Sequence, residues 1–152
     1  FKGSIEALNI VMDARPEILN HNVESVPRLF KSVQPQSDYA NTKATLTNAK
    51  KLMPNGLTKS GIMVGLGEEI EEVKEVIRDL RSWGVDILTI GQYLQPSKKH
   101  LPIERFYMLE EFQELEEFGK DLGFRWVESG PLVRSSYHAA EQVRALSEGF
   151  GK

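Results

Sequence analysis

Cysteine is absent from all 152 residues. That excludes disulfides, and it excludes any iron–sulfur or zinc site built on thiolates of this chain alone. It also leaves nothing from which a redox compartment could be read. Long apolar runs are missing too, since none approaches the roughly 18 residues of a membrane-spanning helix. Positive charge is in short supply: 19 Lys and Arg stand against 22 Asp and Glu, a net charge of −3. This balance argues against a broad nucleic-acid-binding surface. Internal repeats and low-complexity linkers are not evident. The first residue is Phe1 rather than Met, so a targeting segment is not observable.

What remains is an ordinary soluble composition, 40% hydrophobic and 27% charged, at a length that suits one domain or one large piece of one. Apolar periodicity alternates between helical and strand spacing, the mark of repeating β/α units. Ile5, Leu8, Val11 and Met12 fit one helix face that ends before Pro16, and a short strand follows over 17–20. Pro27 to Phe30 opens a brief turn or helix. A longer helix over 39–52 is stopped by Pro54-Asn55-Gly56. Strands are expected over 58–64, 85–90 and 124–127. Between them lie helices over 69–83, with Ile70, Val73, Val76, Ile77 and Leu80 inward, and over 109–122, burying Leu109, Phe112, Leu115 and Phe118. Residues 141–152 read as an amphipathic helix or a frayed tail. This order predicts a mainly parallel sheet with helices outside, about half a barrel, with one sheet edge unpaired.

Four polar segments fall where strands end and loops begin, the functional face of such folds. Asn20-His21-Asn22-Val23-Glu24 offers amides and a carboxylate suited to hydroxyl groups, although a self-satisfied polar turn has the same composition. His21 is more simply structural. Lys59-Ser60-Gly61 runs into Met63-Val64-Gly65-Leu66-Gly67-Glu68, where glycines let a ligand approach the backbone or merely permit a tight turn. Lys59 could neutralise a carboxylate or sit in solvent. Gln92-Tyr93-Leu94-Gln95-Pro96-Ser97 could bond a polar cofactor or frame an acyl tunnel, and is equally good turn chemistry. The basic run Lys98-Lys99-His100 is a solvated loop or a dock for an acidic carrier domain. Last, Arg134-Ser135-Ser136-Tyr137-His138 follows the Gly130-Pro131 break. Packing does not demand it, and by itself it would read as a helix N-cap.

In this order the four segments resemble the lipoyl synthase family of radical S-adenosylmethionine (SAM) enzymes, over about residues 1–140. The resemblance implies an α/β fold, the C-terminal half of a radical SAM partial (β/α) barrel. Residues 1–140 would belong to the barrel domain and 141–152 would form a C-terminal helix or tail. Asn20, Asn22 and Glu24 would touch the ribose or methionyl portion of SAM, and Lys59 its carboxylate. Gly61, Gly65 and Glu68 match the family's G-x-I-x-G-x-x-E strand beside the adenine, with Met63 in place of the usual Ile. Gln92 would also face the cofactor. In this family an auxiliary [4Fe-4S] cluster is bound by three cysteines and one serine of the tail motif. That assigns the metal ligand to Ser136, with Ser135 as the fallback, and gives Arg134 the role of stabilising the anionic cluster or the alkoxide. An alkoxide is a harder ligand than a thiolate and thus easier to release.

Two [4Fe-4S] clusters are implied, and their cysteine ligands are absent from this chain. The resemblance therefore points to the C-terminal part of a longer protein, inactive by itself. The implied whole reaction inserts two sulfur atoms into an octanoyl chain on a carrier lysine. One cluster would cleave SAM to a radical that abstracts hydrogen at C6 and then C8, and the other would supply sulfur. Implied partners are octanoylated lipoyl carrier domains or the glycine cleavage H protein, together with a reductant; nucleic acid and membrane are not expected. The implied location is the bacterial cytoplasm or, in a eukaryote, an organelle matrix. Two alternatives stand beside it. One is a naturally cysteine-free, non-catalytic module that binds SAM or a carrier domain. The other is a different radical SAM sulfurtransferase or methylthiotransferase, which the Arg-Ser-Ser-Tyr tail disfavours.

Overall fold

A computed structural model describes residues 4–148. Helix α1 (Ile5–Asp13) starts where the Ser4 hydroxyl accepts the Ala7 N–H, and Arg15-Pro16 ends it. Strand β1 (Ile18–Asn20) follows, then a 3-10 turn (Pro27–Leu29) running into the short α2 (Phe30–Val33). Helix α3 (Tyr39–Leu52) is capped by the Asp38 carboxylate on the Ala40 N–H. Next come β2 (Leu57–Val64), α4 (Ile70–Ser82), β3 (Ile87–Gln92), α5 (Leu109–Asp121), β4 (Trp126–Gly130) and α6 (Ala139–Glu148). The expected C-terminal helix is thus found, beginning two residues early; its last expected residues, 149–152, lie outside the described part.

The four strands form one sheet in the order β1-β2-β3-β4, parallel throughout. Each crossover between β2 and β4 is a helix packed on one face, as parallel strands require. The sheet does not close on itself, so both β1 and β4 are edges, where a single unpaired edge was expected. Strand parity separates two faces. On the outer face Ile62, Val64, Leu88, Ile90 and Val127 pack against Val73, Val76, Ile77 and Leu80 of α4 and Phe112 and Leu115 of α5. Helix α1 adds a smaller cluster, Leu8 and Met12 on Leu19 and Ala49. No helix among the described residues is long and apolar enough to cross a membrane.

Two strands begin later than the apolar pattern suggests. Val85 and Phe124 are buried but belong to helix ends, donating to the carbonyls of Leu80 and Gly119. Gly84 and Gly123, at φ 88°, make those turns. Asp86 is occupied in tying Lys50 Nζ (2.7 Å) and the Thr58 N–H (2.9 Å) at the foot of the sheet. Leu109 is exposed rather than buried, because the first residue of α5 faces away from the sheet. Phe118 is only partly buried, under the Arg78 guanidinium.

Candidate functional site

The opposite, inner face of the sheet is built from small and polar side chains. The strand registers place Gly61 beside Thr89, and Thr89 beside Glu128; the next row is Met63, Gly91 and Gly130. Past β1 the chain stays alongside β2: the His21 N–H donates to the Lys59 carbonyl (3.0 Å) and the Glu24 N–H to that of Gly61 (3.0 Å). This puts Asn22 and Glu24 at the edge of the same face. The tail after β4 then turns back over it.

Between these walls lies a cavity of about 300 Å³, with a floor of Gly61, Thr89 and Gly91. Asn22 and Glu24 form one side, Val133, Arg134 and Ser135 another, and Met63, Gln92 and Leu94 the upper rim. Gly61 and Gly91 let neighbouring groups pack closely onto the floor. A Cβ on Gly61 would come within 2.7 Å of the Thr89 hydroxyl and 3.1 Å of Asn22 Oδ1.

The acidic wall is held under tension. Glu24 adopts φ 68°, a left-handed conformation costly for a non-glycine residue. Burial raises its carboxyl above the ordinary value, and the hydrogen bond from Asn22 Nδ2 (3.2 Å) only partly offsets this. Asn22 Oδ1 is buried without a hydrogen-bond partner among the described residues. A buried carbonyl oxygen left unpaired costs about 1–3 kcal/mol, so this pair is arranged to receive a donor from the cavity.

Asn22, Glu24, Gly61, Gln92, Arg134 and Ser135 from the sequence reading therefore meet around one cavity. Asn20, Lys59 and Ser136 line an adjoining depression of about 270 Å³ that shares Ser135. Gly65 and Glu68 line neither. The Glu68 carboxylate instead binds the N–H groups of Gly65 (2.6 Å) and Leu66 (2.9 Å), holding the turn in which Gly65 takes φ 100°. Gln92 lines the cavity with its amide engaged elsewhere: Nε2 donates to the Arg105 carbonyl (3.0 Å) and Oε1 accepts the Tyr107 N–H (3.0 Å). His21 faces a separate hollow beside Gln34 and Asn41, and burial lowers its pKa.

Lys59 is 1% exposed and donates to Gln142 Oε1 of α6 at 2.8 Å. Burial pushes its pKa down, and Glu128 partly restores it. Sequence reasoning did not find Thr89, Glu128 or Gln142. Thr89 could have been found, since it sits two residues before Gly91 on a strand whose alternate positions must share a face. Among the described residues no group of three or more His, Cys, Asp or Glu is placed to hold a metal.

No family model matches the chain. Curated relatives do. It is 54% identical over 149 residues to the lipoyl synthase of Rubrobacter xylanophilus, covering 98% of this chain and 46% of the relative. It is 55% identical over 146 residues to that of Bacillus cytotoxicus (96% and 49%) and 57% identical over 141 residues to that of Geobacillus kaustophilus (93% and 47%). The chain thus spans about half the length of the curated relatives it matches. Over the residues matched, the chain is similar to these lipoyl synthases.

Proposed function

From this kinship we propose that the chain is the C-terminal part of a lipoyl synthase and forms the SAM-binding wall and tail of its active site. The full-length protein would insert two sulfur atoms, at C6 and C8, into an octanoyl chain borne on a lysine of a lipoyl carrier domain or the glycine cleavage H protein. A reductant would supply electrons.

The observation that carries this reading is the pairing of Asn22 and Glu24 with Arg134 and Ser135 across a glycine floor. SAM presents ribose hydroxyls, an ammonium, a sulfonium and a carboxylate. The unpaired Asn22 Oδ1 and the Glu24 carboxylate suit the hydroxyls or the ammonium, and the Arg134 guanidinium suits the carboxylate. Met63 and Leu94 supply apolar surface that keeps water from the bound molecule. SAM when bound would serve as the radical source.

The two [4Fe-4S] clusters do not fit the residues of this chain alone. It has no thiolate, and the resemblance assigns its tail a single oxygen ligand, Ser136 or, failing that, Ser135. No step of the reaction is carried by this chain through a cluster. What it contributes is binding, orientation and shielding.

The test is made on the full-length protein, purified anaerobically and assayed with an octanoylated carrier. Mass spectrometry of the carrier is expected to show two sulfur atoms gained per octanoyl group, dependent on SAM and reductant. SAM binding with neither SAM cleavage nor sulfur transfer would overturn the reading in favour of a non-catalytic binding module.

A further inference from the structure

We propose that Gln142, bridging the buried ammonium of Lys59 and the partly buried carboxylate of Glu128, is a latch that holds α6 and the Arg134–Ser136 motif over the inner face of the sheet.

Lys59 on β2 and Glu128 on β4 project from the same face, two strands apart. A buried ammonium requires a partner, yet these two charges do not bond directly. The Gln142 amide stands between them. Its Oε1 accepts from Lys59 Nζ (2.8 Å), and its Nε2 lies 3.2 Å from Glu128 Oε1. An amide carries an acceptor and two donors on one planar group, so it can serve a cation and an anion at once. The same Nε2 also donates to the carbonyl of Tyr137 (3.2 Å), the residue next to Ser136. Glu128 Oε1 takes two further contacts, from Trp126 Nε1 (2.9 Å) and His138 Nδ1 (3.2 Å).

The burial of α6 shows why this matters. Among its described side chains only Gln142 is fully buried, at 0% exposure. A helix usually docks through an apolar stripe; here the one buried position is polar and joined to two charges. The network is also incomplete, because Glu128 Oε2 is buried without a partner among the described residues. A half-satisfied network stabilises less than its bond count suggests, which suits reversible engagement more than permanent attachment. Gln142 is thus a positioning residue. Its contact with the tail is independent of the activity proposed above, whereas the use made of the positioned serine rests on that reading.

Hydrogen exchange of the full-length holoprotein, followed by mass spectrometry, tests the latch without turnover. Gln142→Leu should speed exchange over residues 131–146 by roughly tenfold or more, as expected for losing hydrogen bonds to charged groups, and leave peptides of β2 and β3 unchanged. The milder Glu128→Gln should have the same regional effect, smaller in size. Combining Lys59→Met with Gln142→Leu should add little to either alone, since both break one linkage. Unchanged exchange over 131–146 in Gln142→Leu would overturn the proposal. So would a uniform increase across the sheet, which would mark Gln142 as general packing. Because no product is measured, failure of the latch and failure of the proposed activity are distinct results.

Discussion

The carbonyl oxygen of Val133 occupies the space where a Cβ on Gly91 would stand. The tail can therefore cross the inner face of β3 only because residue 91 has no side chain. Gly91→Ala is expected to push residues 133–135 off the sheet, at a cost of about 1–3 kcal/mol for an overpacked contact. Urea unfolding of the full-length protein checks the stability, and titration calorimetry with SAM should show weaker binding. Unchanged affinity would mean that Arg134 and Ser135 do not contribute to the cavity as drawn.

Asn22 makes the opposite prediction about stability. Asn22→Ala loses the 3.2 Å bond to Glu24 but also removes an Oδ1 that is buried without a partner among the described residues, and as the two effects offset, the unfolding midpoint should stay nearly unaltered. If SAM supplies the missing donor, affinity should fall by about tenfold or more, the equivalent of one hydrogen bond to a buried group. The two measurements together separate a ligand contact from a structural one.

Glu24 gives the site a pH dependence whose sign is fixed. Burial raises its folded-state pKa above 4.5, so the folded protein holds a proton that the unfolded chain has released. Stability contributed by this group therefore declines as pH rises from the unfolded value through the raised one. Binding of a hydroxyl-rich or cationic ligand to the carboxylate should strengthen over the same interval. SAM affinity measured across that range should rise in the unaltered protein and stay flat in Glu24→Gln. An equal rise in both would remove Glu24 from the contact.

Much of the frame was legible because its signals are local. The Pro54-Asn55-Gly56 break ends α3, and the apolar spacing of Val73, Val76, Ile77 and Leu80 fixes which face of α4 is buried. Where a helix end borrows apolar residues, as at Val85 and Phe124, the same pattern misplaces the strand by two residues. The Asn22–Glu24 wall was legible from its side-chain chemistry. The Lys59–Gln142 contact was not, since it joins residues 83 apart through a helix whose burial no local pattern announces. Glu68 and Gln92 illustrate the converse: their side chains suit a ligand, but the turn and the rim loop use them first.

Gln92 accordingly yields a structural prediction. Gln92→Leu would leave the buried Tyr107 N–H and the Arg105 carbonyl without their partner, each costing about 1–3 kcal/mol. The loop from 93 to 108 should loosen, and limited proteolysis should cut there first. A variant as resistant as the unaltered protein would show that the loop is braced elsewhere, for instance by the Tyr93 hydroxyl on the Leu101 carbonyl (2.8 Å).

The most direct test of the whole account is Ser136→Ala in the full-length protein, with SAM cleavage and lipoyl formation measured side by side. Ser136 lies outside the main cavity and borders the depression that also holds Asn20 and Lys59. The account predicts that lipoyl formation is abolished while much of the SAM cleavage survives. Loss of both to the same degree would contradict it.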